Sequence, residues 1–487
     1  MKRSLKICFA ASEAVPYAKT GGLADVAAAL PAQLAQLGHD VRVFLPRYRG
    51  ITASQRDLRD VDSIREVSIQ AGPRRYAYSA RTPSPQDSDH NVYLIDCPDL
   101  YQRPTIYTTD ADESQRFAFL SRAVIESCQR LAWAPDVFHC NDWHTALIPF
   151  LLRTAYAWDA FFQKSRSLLT IHNIGYQGNF SSDAVAELGL EAWSHLLDQD
   201  DLAAGRVNFL RTGLIYADAI STVSPTYAQE IQTEQYGMGL RRVLRARRDT
   251  LVGILNGVDY DQWSPECDPF IPHRFSVDDV SGKRKNKRHL LERLKLDLDL
   301  DAPLLGVVSR LAHQKGFDLC FDVLPEVLGA SDLRLVALGS GEPSVEEFFV
   351  SLQHGFPSRV CYHRGYHDEL AHVIEAASDM LLMPSRYEPC GLNQMFGMRY
   401  GTLPIVRRTG GLADSVKPVD LATGQGTGFV FEHFTPHALR WALEFALATW
   451  RDRRLWGRLM RNAMREDFAW EVQARPYEEL YCKLLER

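Results

Sequence analysis

Two doubly wound α/β domains are what this sequence predicts, and three observations predict them. A hexapeptide occurs twice, letter for letter, as Thr20-Gly21-Gly22-Leu23-Ala24-Asp25 and Thr409-Gly410-Gly411-Leu412-Ala413-Asp414. Short apolar runs alternate with helical stretches along the whole chain. At 487 residues the chain is too long for one core and suits two or three domains.

The repeat suggests two related halves, each with a glycine turn entering a helix. Such a turn presents backbone N–H groups at a helix N-terminus, where the dipole favours an anion. Two of them suit one phosphorylated ligand gripped from both sides. Two ordinary glycine turns are the plainer reading, since neither copy alone is specific.

The elements follow in order. An apolar strand over Leu5–Ala10 leads through the first turn into a helix from about Leu23 to Leu37. Gly38-His39 closes it, and Val41–Leu45 is the next strand. Further strands are expected at Val92–Ile95, Val137–Cys140, Ser167–Ile171 and Ala219–Val223, with a helix over Glu113–Ala132. All are short and apolar, as parallel strands covered on both faces are. Pro265, Pro269 and Pro272 mark Trp263–Phe275 as a connector. A second series follows, with strands at Leu304–Ser309, Leu333–Gly339, Met380–Met383 and Pro404–Val406. From about Arg461 to Arg487 the pattern is helical, with no strand left to pair. The expected division is 1–256, 257–460 and a helical segment 461–487 that docks back on the first domain. Ligand is expected at the carboxyl ends of the strands, between the domains.

Composition narrows the function. Hydrophobic residues make up 46% and charged residues 24%, values of a soluble globular protein. A net charge of −6 gives no general pull toward nucleic acid or an anionic membrane. No apolar run reaches the ~18–20 residues of a membrane span. Lys2, Arg3 and Lys6 resemble a signal-peptide start, but Leu5–Ala10 is too short and Glu13 follows it. Nine scattered cysteines without a Cys-x-x-Cys pair point to a reducing cytoplasm and away from structural zinc. Two basic runs, 241–248 and 283–288, read as solvated helix faces or, alternatively, as phosphate or carboxylate sites. Residues 83–90 read as a polar loop.

The chemistry collects at strand ends. Arg310 ends one strand and Lys315 follows shortly, a planar fork and a point charge that suit a diphosphate. Exposed loop cations are the alternative. Glu388 precedes Gly391 where a strand turns into a helix, placed to accept hydrogen bonds from sugar hydroxyls or simply lying on the surface. Cys390 has no base beside it in sequence and reads as a packed thiol. His172-Asn173 follows a buried strand at the same kind of mouth. His139–His144 holds candidate metal ligands without the spacing of a closed zinc site, so no metal is assigned.

Taken together, these stretches resemble the bacterial glycogen synthase and plant starch synthase family. The resemblance rests on Lys19–Val26, Asn141-Asp142-Trp143-His144, His172-Asn173, Asn256-Gly257-Val258-Asp259, Ser309-Arg310-Leu311, Gln314-Lys315-Gly316 and 384–414. The motifs run in family order over essentially the whole chain. The family is similar to other retaining glycosyltransferases of the GT-B type, with two facing Rossmann-like domains and the active site in the cleft between them.

The resemblance implies transfer of glucose from ADP-glucose to the non-reducing 4-OH end of an α-1,4-glucan, glycogen or a maltooligosaccharide, with retention. It implies no cofactor and no metal requirement, and no nucleic-acid or membrane partner. By position, Lys19, Arg310 and Lys315 would contact phosphates, and Gly21 and Gly22 would bring backbone near the donor. His172 would sit by the transferred glucose and Glu388 would bind its hydroxyls. Cys390, Gly391 and Leu392 would run along sugar and phosphates, with Thr409 and Gly410 also on the donor. Tyr366 would stack on adenine. Asp142 and Asn256 would shape the pocket, with Asp25 and Asn173 on the acceptor side. Phe396 stands where many relatives of the wider superfamily carry a second Glu, which removes a paired-carboxylate mechanism. Same-face displacement through an oxocarbenium-like state is then expected, with Arg310 and Lys315 stabilising charge on the leaving ADP. Two alternatives stand beside this: a related transferase using another nucleotide sugar or small acceptor, and a catalytically silent glucan-binding protein.

Overall fold

The structure, a computed structural model, describes residues 4–51, 58–83 and 91–486. Residues 84–90, most of the expected polar loop, lie outside the described residues. The chain forms two compact units. The first comprises Met1–Val223, Ala228–Gly257 and Trp470–Arg487, and the second Ser224–Tyr227 and Val258–Ala469.

In the first unit the central strand Lys6–Ala10 pairs in parallel with Asp40–Pro46 on one side and Val137–Asn141 on the other. The sheet continues through Asn91–Asp96 beyond the former, and through Arg166–Ile171, Ala219–Thr222 and Leu251–Gly253 beyond the latter. Numbered in chain order, these parallel strands run 3-2-1-4-5-6-7. Strand order therefore reverses between Lys6–Ala10 and Val137–Asn141, and ligands of open α/β sheets bind at such a point.

One edge departs from the expected parallel sheet. Arg74–Pro83 pairs antiparallel with Asn91–Asp96, Leu58–Asp60 and Val67–Ala71. Val67–Ala71 alternates buried and exposed residues, the period-2 pattern of a strand with one wet face. Its partner turns back at Gly72, whose φ is +56°.

The second unit is wholly parallel among the described residues. Its order is Val360–Arg364, Arg334–Gly339, Leu304–Val308, Met380–Met383, Leu403–Arg407, Phe429–Phe431, or 3-2-1-4-5-6 in chain order. Its reversal point lies between Leu304–Val308 and Met380–Met383.

Three other expectations need correction. The stretch Trp263–Phe275 is irregular, as its prolines require, yet it is packed into the second unit. Trp263 stacks on His372 at 3.7 Å and on Phe396 at 4.0 Å, and buried Asp268 accepts from His372 Nδ1 at 2.8 Å and from the Tyr400 hydroxyl. The run 283–288 is neither a solvated face nor an anion site throughout. It lies on the helix Ser281–Arg293, where Lys283 and Lys287, four residues apart, share the buried side. Lys283 Nζ donates to Tyr400 O and Thr402 Oγ1, and Lys287 Nζ to Ala302 O and Asp379 Oδ2. In the other run, Arg247 donates to the carbonyls of Leu214, Ile215 and Ala217, satisfying the end of the helix Phe209–Tyr216.

The final segment is two helices. Arg453–Met464 belongs to the second unit and Trp470–Leu485 to the first, where it packs on Gly22–Gln36. Tyr481 OH lies 2.7 Å from His139 Nδ1, which ties that helix to the sheet. All nine cysteines are free thiols. Among the described residues no helix is long and apolar enough to cross a membrane.

Candidate active site

Both reversal points gather the polar side chains that follow their strands. In the first unit, the segment after Lys6–Ala10 carries Glu13. This buried carboxylate accepts from Thr20 N at 2.5 Å, from Thr20 Oγ1 at 2.9 Å and from the Gly21 N–H. Burial raises its pKa, and these donors pull it back. The first glycine turn does enter a helix, Gly22–Gln36, with Gly21 as its N-cap. However, the N–H groups of Thr20 and Gly21 already face the protein's own carboxylate. Lys19 Nζ lies 2.7 Å from Asp25 Oδ1, pairing two of the assigned residues.

After Val137–Asn141 comes Asp142, in the left-handed region at φ +54°, which Asp and Asn tolerate best after Gly. Its Oδ1 accepts from the backbone N–H of His172 at 2.7 Å and of Asn173 at 3.4 Å, tying two strand ends together. Burial pushes its pKa up to about 7 against the pull of those two donors. His172 is buried, which brings its pKa down to about 3 and keeps the imidazole neutral. Its Nε2 lies 2.8 Å from Asn141 Oδ1. Asn173 Oδ1 accepts from Gly175 N at 2.9 Å, an Asx turn. Asn256 is buried, with no partner for its Oδ1 among the described residues. His139 and His144 are buried with their pKa values well lowered, and among the described residues no three His, Cys, Asp or Glu side chains are set to hold a metal.

In the second unit, Arg310 follows Leu304–Val308, exposed and without an ion-pair partner among the described residues. Lys315 ends a short 3₁₀ turn, and Gly316 follows at φ +69°. A Cβ there would lie 2.2 Å from Pro384 O, so only glycine fits. Lys315 Nζ reaches Glu388 Oε2 at 2.6 Å, and Ser385 Oγ donates to the same oxygen at 3.0 Å. Cys390 is buried, and Gly391 and Leu392 lead into the helix Asn393–Arg399.

The second glycine turn has a packing task. Thr409 is the buried N-cap of Gly410–Ser415. A Cβ on Gly410 would lie 1.9 Å from Glu388 O, and one on Gly411 2.1 Å from Cys390 O. Gly411 N donates to Glu388 O at 3.1 Å. These glycines let the 388–390 backbone lie directly against the turn. Asp414 accepts from Thr226 N and Oγ1 at 2.8 and 2.6 Å, whereas its counterpart Asp25 pairs with a lysine. Tyr366, just past Val360–Arg364, is 72% exposed, its hydroxyl 2.5 Å from Asp368 Oδ1.

The structure thus joins Lys315 with Glu388, Asp142 with His172 and Asn173, and Lys19 with Asp25. The assigned residues are divided between the units: Lys19, Gly21, Gly22, Asp142, His172 and Asn256 in the first, the rest of the donor set in the second. Glu13, Asn141 and Ser385 were missed by sequence reasoning. Asn141 and Ser385 lie within motif stretches, and Glu13 follows the strand Lys6–Ala10 by three residues, which is the signal that was there to use.

Comparison with known proteins shows the family. Residues 6–246 match the starch synthase catalytic domain and residues 291–463 match glycosyl transferases group 1. The chain is 43% identical to a glycogen synthase of Syntrophotalea carbinolica, over 99% of each chain. It is 44% identical to one of Koribacter versatilis, over 98% of each. This chain belongs to the glycogen and starch synthase family of glycosyltransferases. It also superposes on the catalytic domain of starch synthase IV from Arabidopsis thaliana, solved bound to ADP and acarbose, with TM-score 0.91, 35% identity and full coverage of both chains. A sucrose-phosphate synthase from Thermosynechococcus elongatus, at 19% identity and TM-score 0.61, shares the fold. The architecture is accordingly the two-domain GT-B type, and the protein is a glycosyltransferase.

Proposed function

We propose that this enzyme transfers glucose from ADP-glucose to the non-reducing 4-OH end of an α-1,4-glucan, with retention of configuration, in a reducing cytoplasm. The observation that carries the reading is the pairing of Lys315 with Glu388 at the reversal point whose first strand also leads into exposed Arg310. A cation for the leaving diphosphate and a carboxylate for sugar hydroxyls belong side by side at the bond that breaks.

In this reading Arg310 and Lys315 stabilise charge growing on ADP, the kind of preorganised term that dominates many rate enhancements. Lys19, Gly21 and Gly22 are also assigned to the phosphates, and Tyr366 offers its exposed ring to adenine. Cys390, Gly391, Leu392, Thr409 and Gly410 line the donor. The neutral His172 lies by the glucose, with Asp142, Asn173, Asn256 and Asp25 shaping the pocket. The leaving phosphate takes the proton of the attacking 4-OH, since no protein nucleophile is assigned. Two protein cations already serve the diphosphate, so activity is expected to survive EDTA.

The test is a donor panel with glycogen as primer. ADP-glucose is expected to be used best. Equal or faster transfer from UDP-glucose overturns the donor assignment, and no transfer from any donor favours a glucan-binding role.

A further inference from the structure

We propose that Asn141 is a positioning residue that fixes the tautomer and orientation of His172, leaving Nδ1 as an acceptor for a sugar hydroxyl. The last clause rests on the functional reading above, whereas the tautomer rests on geometry alone.

Asn141 ends the strand Val137–Asn141, between the ends of Lys6–Ala10 and Arg166–Ile171. It is fully buried, and its amide spans the gap from one neighbour to the other. Nδ2 lies 3.0 Å from Ala10 O and 3.4 Å from His139 O. Both are carbonyls and can only accept. Turning the amide over would set its oxygen against two carbonyl oxygens, so the NH₂ must face them. Oδ1 then faces His172 Nε2 at 2.8 Å. An amide oxygen has no proton to give, so Nε2 carries the ring proton and the lone pair is left on Nδ1.

The surroundings hold this choice in place. Asn141 N donates to Thr145 Oγ1 at 2.7 Å, and that hydroxyl donates back to Asn141 O at 3.0 Å. The backbone of His172 is tied separately, through its N–H to Asp142 Oδ1. Backbone and ring of His172 are therefore anchored by consecutive residues, Asp142 and Asn141. An imidazole held this way accepts at Nδ1 and does not donate there. It suits a hydroxyl and would meet an acceptor-only group lone pair to lone pair.

The experiment uses the full chain labelled with ¹⁵N-histidine, with the His172 resonances assigned by comparison with His172→Gln. In the resting native protein, long-range ¹H–¹⁵N spectra are expected to show His172 as a single tautomer protonated at Nε2. Asn141→Asp, protonated on the oxygen that meets the Ala10 and His139 carbonyls, keeps an acceptor oxygen toward Nε2 and should keep that tautomer. Asn141→Leu removes the acceptor and should give a mixture, with kcat lower on the order of tenfold and KM for glycogen unchanged.

A proton on Nδ1 in the native protein overturns the proposal. So does loss of the Nε2 tautomer in Asn141→Asp, or native tautomer and kcat in Asn141→Leu. Should the leucine variant fail to fold, the native and aspartate spectra still decide. The spectra need no substrate. A native protein inactive with ADP-glucose but protonated at Nε2 therefore refutes the function and leaves the positioning role standing.

Discussion

Lys315 Nζ lies 2.6 Å from Glu388 Oε2, so the resting enzyme ties the cation assigned to the diphosphate to the carboxylate assigned to the sugar. Ser385 Oγ adds a third member on the same oxygen. Glu388 is 5% exposed in its side chain and Lys315 18%, so water screens this pair little. Each partner holds the other's rotamer at the place assigned to the donor. The two residues therefore act as one unit, with exposed Arg310 as an independent charge.

That coupling gives a kinetic prediction. Arg310→Ala, Lys315→Ala and Glu388→Ala are each expected to lower kcat by on the order of 10²–10³-fold. The Lys315→Ala/Glu388→Ala double variant should lose little more than its worse single variant, because removing either member disables both. Cys390→Ser should be mild. Rates of ADP release from ADP-glucose with glycogen measure all of these. A double variant whose loss is the product of the two single losses would show that the pair is incidental.

The parallel core and most strand-end residues were legible in the sequence because each carries a local signal. Arg166–Ile171 is an apolar run closed by a polar residue, so His172 stood out as soon as the strand did, whereas Asp142, after Val137–Asn141, gained its role only from the family resemblance. Other features depend on partners far away in sequence. Lys283 and Lys287 lie on a helix so polar that a wet face was the natural reading, and only Tyr400 O, Thr402 Oγ1 and Asp379 reveal them as buried. Trp263 sits among prolines, and its stacking on His372 and Phe396 joins segments more than a hundred residues apart. The identity of the two hexapeptides was legible, but their tasks differ, since one faces Glu13 and the other cushions the 388–390 backbone.

The buried Asp142 carries a pH prediction. Folding raises its pKa from 3.8 to about 7, chiefly by burial. An acid so raised holds its proton more tightly when folded. Its contribution to stability is therefore complete below the unfolded value and is lost as pH rises through about 7. His172 has the opposite shift and acts only below its ordinary range, and comparison with an Asp142 variant cancels buried Lys283 and Glu375, which also titrate near pH 7–8. Asp142→Asn keeps an oxygen for the His172 and Asn173 N–H groups and tolerates the positive φ. Thermal melts across pH 6–9 should show the native protein losing about 1.4 kcal/mol relative to this variant, the one unit of the roughly three-unit shift that titrates above pH 6. Parallel melting curves would mean that Asp142 is ionised throughout.

The basic helix Ser281–Arg293 gives a contrast. Lys287 and Asp379 are paired at 2.6 Å with side chains 3% and 9% exposed, and Asp379 Oδ2 also accepts from Leu304 N. Lys287→Met strands that carboxylate in the interior, and breaking one side of a buried pair costs about 3–5 kcal/mol. Lys287→Met/Asp379→Leu should recover much of the loss. Lys285→Met and Arg288→Met, at exposed positions of the same helix, should each change stability by less than about 0.5 kcal/mol. Urea unfolding of the four variants checks the ranking, and equal effects at 285 and 287 would count against the buried role.

Glu13 is the residue that gives the first glycine turn its shape. Its Oε2 takes the Thr20 N–H and hydroxyl, and the Gly21 N–H also donates to the carboxylate. Glu13→Ala removes hydrogen bonds to a charged group from donors on exposed Thr20 and partly buried Gly21, at about 1.5–3 kcal/mol. The loop that carries Lys19 then loses its anchor just before the helix Gly22–Gln36. Because Lys19 is assigned to phosphate binding, the expected kinetic effect is on donor capture. KM for ADP-glucose should rise on the order of tenfold, with a smaller change in kcat and none in KM for glycogen. Glu13→Gln retains one acceptor oxygen and should fall between the native enzyme and Glu13→Ala. If Glu13→Ala lowers kcat sharply while KM for ADP-glucose stays native, the carboxylate serves the chemical step and not the shape of the turn.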